Sequence, residues 1–352
     1  MKKRIMSIVI CAVMVFVTIP VFTSCESQSN TLNVFNWGQY IANGEDDTVD
    51  LIAKFEEETG IKVNYLTYES NEAMYAKLKS GGASYDIVIP SDYMIARLIK
   101  EDMLQPIDFS KLSNYSNIDD SFKHLNYDPE NKYSVPYTWG TVGIIYNKKY
   151  VKKEVDSWEL LWDSDYKDKI LMFSNSRDAM AIGQLLTKVD PNTTNKADLE
   201  KAASKLVEQR PYVQDYVMDQ IFDKMINEVA WIAPYYAGDY LYMSEENENL
   251  EFCLPKEGFN RFVDSMCILK NSTNTDAAHK FIDFILREDV QFENVDYIGY
   301  SSPFKAELIP EDYVDEVSYP DKKTLERSFM FENLPTNVLQ NIDSLWIEVR
   351  IS

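Results

Sequence analysis

Residues 61–91 read IKVNYLTYESNEAMYAKLKSGGASYDIVIPS. Ile61 to Thr67 reads as a strand, Asn71 to Lys79 as a helix stopped by Gly81-Gly82, and Tyr85 to Pro90 as a short buried strand around Asp86-Ile87-Val88-Ile89. Ser91 then stands as the N-cap of a helix that ends near Glu101. Working backwards, Thr48 to Thr59 carries Val49, Leu51, Ile52 and Phe55 at helical spacing, with Asp47 as N-cap and Gly60 as the stop. Leu32 to Asn36 supplies a strand before it. Strand, helix, strand, helix, strand predicts a mostly parallel sheet covered by helices.

A second α/β block follows Tyr133-Ser134-Val135-Pro136-Tyr137. Its strands are Val142 to Tyr146 and Ile170 to Phe173, with a short helix at Trp158 to Trp162 between them. Helices are predicted over Asp178 to Lys188 and Lys196 to Gln209, and an apolar one through Phe281 to Leu286 after a Thr275/Asp276 cap. This block predicts a second sheet and therefore two αβ lobes. Sheets of this kind bind ligands at the carboxyl ends of their strands. Trp37 and Tyr40, Ser91 and Tyr93, Asn175 to Asp178, and Asp239 all fall just after strands.

The bulk composition agrees with two lobes. The 352 residues are 45% hydrophobic and 26% charged, more chain than one core usually fills. A net charge of −22 argues against nucleic acid, whose binding depends on Lys and Arg, and favours small cations, although solubility alone would also account for it. Most of the 23 Tyr and 6 Trp must be core residues, with some free to line a groove.

Residues 1–24 read as a signal peptide: Lys2, Lys3 and Arg4, then an apolar stretch from Ile5 to Phe22. Phe22-Thr23-Ser24-Cys25 is similar to a bacterial lipobox, which makes Cys25 the lipid-bearing first residue and 25–30 a polar tether. Phe22 stands where Leu is usual, and a plain secreted protein or an uncleaved anchor helix are the alternatives. Of the remaining cysteines, Cys253 and Cys267 are compatible with a disulfide or with two buried thiols. His124 and His279 are the only histidines, so no metal set is expected.

One family resemblance emerges from the motifs taken in order. Asn36-Trp37-Gly38-Gln39-Tyr40-Ile41, Glu58-Thr59-Gly60-Ile61-Lys62-Val63, and Thr67 through Leu78 resemble the bacterial spermidine/putrescine-binding proteins. Tyr85 through Ser91, Val135-Pro136-Tyr137-Thr138-Trp139-Gly140, Pro255-Lys256-Glu257-Gly258, Asp264-Ser265-Met266 and Ile298 through Pro303 continue the likeness. The resemblance implies a type 2 periplasmic-binding-protein fold: two αβ lobes joined by hinge strands, with a ligand cleft between them. By that analogy one lobe is 31–138 plus 262–307 and the other 139–261 plus 308–352, with Tyr137 to Gly140 in a hinge strand. It also implies a polyamine ligand, a membrane permease and an ATPase as partners, an extracytoplasmic location and a monomer.

Carried over residue by residue, the resemblance makes Trp37 and Tyr40 aromatic walls and Ser91 and Tyr93 polar contacts. Gln39 joins the set, while Gly38 and Gln39 depart from the hydroxyl and acid of the spermidine-type pattern. Asp178 matches a ligand-binding acid, beside an Asn175 that replaces another. Asp178 as an ordinary helix cap is the alternative. Asp264 matches the acid that grips a terminal ammonium, with Phe262 as its ring and Tyr300 as a hydroxyl donor. Tyr236 takes the place of a Trp and Asp239 that of an acid in putrescine-type relatives, although Tyr235 leaves the register open by one. Glu332 stays outside the set. These departures leave diamine and triamine both open.

The chemistry suits a polyamine. Each hydrogen bond to a charged group contributes about 1.5–3 kcal/mol, each cation–π contact roughly 0.5–2, and each buried methylene about 0.8. Two anchored ammoniums and a short chain thus reach about 7–13 kcal/mol before ordering costs, against the ~8 kcal/mol that micromolar binding needs. Gly-x-Ser-x-Gly is missing and neither histidine flanks a nucleophile, so neither catalysis nor a cofactor is expected. Another organic amine is the alternative ligand.

Overall fold

The computed structural model describes residues 31–45, 48–82 and 84–352, so the signal segment, Cys25, the tether and Asp47 lie outside the described residues. Strand β1 (Thr31–Trp37) begins the fold, followed by α1 (Leu51–Thr59) and β2 (Lys62–Tyr68). Asp50, three residues beyond the expected cap, starts α1 by accepting the Ala53 N–H, and Gly60 ends it at φ 70°, a conformation that costs glycine little. Helix α2 (Asn71–Ser80), β3 (Ile87–Val88) and α3 (Asp92–Lys100) complete the unit. β1 runs parallel to both β2 and β3.

The second block differs from the expectation. The strand expected at Val142 to Tyr146 is the last part of a 14-residue strand, β4 (Ser134–Asn147), buried along nearly its whole length. After it come β5 (Ile170–Phe173), α4 (Ser176–Leu186), α5 (Lys196–Gln209), β6 (Val213–Val217), α6 (Ile221–Ile226) and β7 (Ile232–Tyr236). Then follow α7 (Ala237–Glu246), β8 (Leu250–Cys253), β9 (Phe259–Ile268), α8 (Thr275–Ile285) and α9 (Glu288–Ile298). The chain closes with α10 (Lys322–Leu325), β10 (Ser328–Phe329) and α11 (Thr336–Ile351). Asn274, not Thr275 or Asp276, is the N-cap of α8, and residues 158–162 form a 3-10 turn.

The two expected sheets are continuous with one another through β4. One hydrogen-bonded path runs β2-β1-β3-β9-β4-β7-β5-β6, with β8 on β4 and β10 on β9. It is mixed, because β9 lies antiparallel to β3 and to β4. The first part of β4, through Thr141, pairs with β9, and the part from Val142 onward pairs with β7 and β8. Two αβ halves thus share long strands, and the β4–β9 register shifts between Pro136 and Thr138, as expected where proline lacks a donor.

Packing behind each half holds the strand ends in place. Phe55 of α1 meets Phe281 and Phe284 of α8 at 5.2 and 5.4 Å. In the other half α11 covers α4 and α5, and its Trp346 indole donates to the Ser174 carbonyl at 2.9 Å. Asp343 of α11 accepts the Ser176 hydroxyl at 2.6 Å, fixing the turn that precedes Asp178. Cys253 and Cys267 are free thiols, not a disulfide, and of the two only Cys267 is buried while Cys253 is half-buried. Among the described residues no helix is long and apolar enough to cross a membrane.

Candidate functional site

The carboxyl ends of β1, β3, β5, β6 and β7 converge on one cleft, partly open to solvent. All eleven residues singled out in the sequence line it: Trp37, Gln39, Tyr40, Ser91, Tyr93, Asp178, Tyr236, Asp239, Phe262, Asp264 and Tyr300. Glu332 does not, and its backbone carbonyl instead faces Arg177 at 3.4 Å.

Asp264 sits on β9 at 3% exposure. Tyr40 is more than a wall: its hydroxyl donates to Asp264 Oδ2 at 2.7 Å and also meets the Thr138 hydroxyl on β4. Oδ1 is buried with no hydrogen-bond partner. Burial pushes this carboxyl up to about 6, against the pull of the Ser91 and Tyr40 hydroxyls. Ser91 makes no side-chain cap to α3; its hydroxyl accepts from Asn71 Nδ2 at 3.1 Å. A buried acid with one idle oxygen beside open space is an acceptor waiting for a donor, and a cationic donor would offset its desolvation best.

At another part of the cleft Asn175, not Asp178, caps α4, taking the Asp178 N–H at 2.9 Å. Asp178 Oδ2 accepts from Asn175 Nδ2 at 2.7 Å and from the Tyr236 hydroxyl at 2.9 Å. Desolvation raises its carboxyl above the usual range, with those two donors and Arg177 opposing. Tyr235 and Tyr236 both line the cleft and both pack on Phe173, at 5.6 and 5.5 Å, and it is the Tyr236 hydroxyl that reaches Asp178. Nearby, the Tyr93 hydroxyl donates to Glu72 at 2.9 Å, and Arg177, 4% exposed, lies over the rings of Phe331 and Tyr93 at 4.3 and 5.3 Å.

Asp239, in the first turn of α7, is pushed up to about 8 by burial, against the Tyr300 hydroxyl and with the charge of Asp219 adding to the rise. Tyr300 packs against Tyr40 at 4.9 Å and Phe262 at 6.1 Å, and Phe262 meets Tyr236 at 5.6 Å. This ring stack needs Gly238, because a Cβ there would lie 2.4 Å from Tyr300 Cδ2. Trp37 covers the side near β2, its indole donating to the Ile89 carbonyl at 2.9 Å and its ring tilted on Tyr68 at 4.7 Å.

Sequence reading missed part of the lining. Asp92, 1% exposed, accepts the backbone N–H of Tyr93 at 2.6 Å and of Val263 at 3.3 Å, and burial pushes it up to about 8 with Asp264 adding to the effect. Glu69 and Glu72 stood inside a quoted motif, where only their likeness to other sequences was used, and Asp219 follows a strand, β6, that no pattern announced. The lining therefore holds seven carboxyl groups: Glu69, Glu72, Asp92, Asp178, Asp219, Asp239 and Asp264. None of the described residues that line it is Lys, Arg or His. Nor do the described residues hold a group of three or more His, Cys, Asp or Glu placed for a metal ion. Such a cleft suits an elongated organic cation with apolar spacers.

The model of the bacterial extracellular solute-binding proteins matches residues 50–320. A spermidine/putrescine-binding periplasmic protein of Escherichia coli (strain K12) is 36% identical over 303 residues, 85% of this chain and 85% of the relative. A Listeria monocytogenes structure described as a spermidine/putrescine ABC transporter superposes with a TM-score of 0.87 at 41% identity, covering 92% of this chain and 99% of that one. The TpPotD lipoprotein of Treponema pallidum superposes at 0.81 with 28% identity, over 92% of this chain and 100% of that one. The fold is that of the periplasmic binding proteins, two αβ halves joined by hinge strands around a cleft. The chain belongs to the bacterial extracellular solute-binding protein family, among its spermidine/putrescine-binding members.

Proposed function

We propose that this protein captures a polyamine outside the cytoplasm and delivers it to the permease and ATPase of an ABC importer. The observation that carries this reading is the cleft itself: seven carboxyl groups, one with an unpartnered buried oxygen, among aromatic rings and without a cationic side chain in the described lining. Spermidine and putrescine, named for the relatives, present ammonium groups joined by methylenes, which such a lining complements.

The rest of the reading is built on this. The lobes are 31–138 plus 262–307 and 139–261 plus 308–352, and the switch of β4 from β9 to β7 supports a hinge there. Closure adds contacts from the second lobe that the open form lacks, so ligand shifts the population toward the closed form. Ligand leaves chemically unchanged, and the protein acts as a monomer. Residues 1–24 direct export and Cys25 carries the lipid, the chain 25–30 serving as tether. The lipoprotein character of the Treponema pallidum structure supports that anchor.

Calorimetric titration with putrescine, spermidine, spermine and choline tests the function. Micromolar or tighter binding of one of the polyamines, with choline at least about a hundredfold weaker, is expected. Equal or stronger binding of choline would shift the assignment to another organic amine. Absence of binding to all four would end it.

A further inference from the structure

We infer that Asp219 is a ligand-binding residue of this cleft, supplying from across the cleft, beside Gly38, the acid that Gln39 does not provide. The inference rests on the polyamine reading above. Gly38 follows β1, and Asp219 follows β6 in the opposite half. A Cβ built on Gly38 would meet one heavy atom within 4 Å, Asp219 Oδ2 at 3.5 Å. The carboxylate therefore stands in van der Waals contact with the place a Cβ at position 38 would take.

Several observations point this carboxylate at a ligand. Asp219 lines the cleft that also contains Asp264, whose Oδ1 is buried without a partner. Its side chain is exposed, so an entering molecule can reach it. Glu69 and Asp239 line the same cleft, and both repel it electrostatically: desolvation raises Asp219 and the charge of Glu69 adds to this, while Asp219 in turn raises Asp239. Among the described residues no hydrogen bond or ion pair engages its side chain. Asp264 and Asp92 form one acidic group, Asp178 and Glu72 another, and Asp219 with Glu69 and Asp239 a third. Glu69 follows β2 in one half, and Asp219 and Asp239 follow β6 and β7 in the other, so this third group draws on both halves.

The test is calorimetry with spermidine and putrescine on wild type, Asp219→Asn and the double variant Asp219→Asn/Gln39→Glu. Asp219→Asn removes a charge that Glu69 and Asp239 repel, so thermal unfolding of the free protein should not be lowered while affinity for the preferred polyamine falls about fivefold to tenfold. Gln39→Glu returns a carboxylate from the facing wall and should recover most of that loss. Unchanged affinity in Asp219→Asn, with wild type binding normally, overturns this inference and leaves the polyamine reading standing. A loss that Gln39→Glu does not recover overturns the substitution of one acid for the other. Wild type that binds neither amine sinks the underlying reading instead.

Discussion

Asp264→Asn should have opposite effects on binding and on stability. In the free protein the carboxyl is 3% exposed, keeps one oxygen without a partner and is pushed up to about 6. The folded value lies above that of an unfolded chain, about 3.9, so between these two values the folded state binds more protons and stability falls as pH rises. Above about pH 6 the penalty is complete, on the order of 3 kcal/mol at 1.36 kcal/mol per unit. Asparagine removes it but leaves an amide N–H₂ where Oδ1 had no partner, which costs about 1–2 kcal/mol. The free variant should therefore be about 1 kcal/mol more stable than wild type at pH 7.5, and equal or less stable at pH 4. Affinity should move the other way, because an ammonium loses its charged acceptor: about 2–3 kcal/mol, or ~30- to 150-fold. Calorimetry for binding and thermal unfolding at the two pH values read both signs. A variant that binds polyamine as tightly as wild type, or one destabilised at pH 7.5, would refute this account of Asp264.

Three further outcomes follow from the same geometry. With Asp92 and Asp239 at about 8 and Asp264 at about 6, binding of a cation should expel protons near pH 7, so calorimetry in buffers of different ionisation enthalpy should show net proton release and affinity should rise from pH 5.5 to 8; identical enthalpies in all buffers would contradict it. Tyr40→Phe deletes the donor to Asp264 Oδ2, so affinity should fall about tenfold and the rising limb of the pH profile should move to higher pH; an unmoved limb would show that Tyr40 does not hold that carboxylate. Gly238→Ala places a Cβ 2.4 Å from the Tyr300 ring, which should cost roughly 1–3 kcal/mol of stability and weaken binding together; a variant with wild-type melting and affinity would mean that the ring stack yields freely.

What could be read in advance divides along physical lines. The βαβ unit at 61–91 announced itself through glycine stops, a cap and short apolar runs, and all of its elements are present. The long strand β4 did not, because burial on both faces erases alternation, so only its last part stood out. The antiparallel strand β9, which joins the two halves, mixes Asn260, Arg261, Asp264 and Ser265 with apolar residues and left no periodic signature. Asp264 came instead from its family likeness, as did Asp178, whose helix Asn175 caps through a bond that composition cannot reveal. Asp92 looked like a first-turn acid next to a serine cap, and only the folded chain shows it sealed beneath Val263. Asp219 depended on a juxtaposition of loops far apart in sequence, which no local pattern encodes.

The central claim is that carboxyl groups in a ring-lined cleft, one of them with an unpartnered buried oxygen, select a flexible polycation. A crystal structure of the protein grown with spermidine tests it most directly. It should place one ammonium nitrogen within about 3 Å of Asp264 Oδ1, with the methylene chain running between Trp37 and Phe262. Spermidine located on the outer surface, or in this cleft with Asp264 Oδ1 still without a partner, would contradict it.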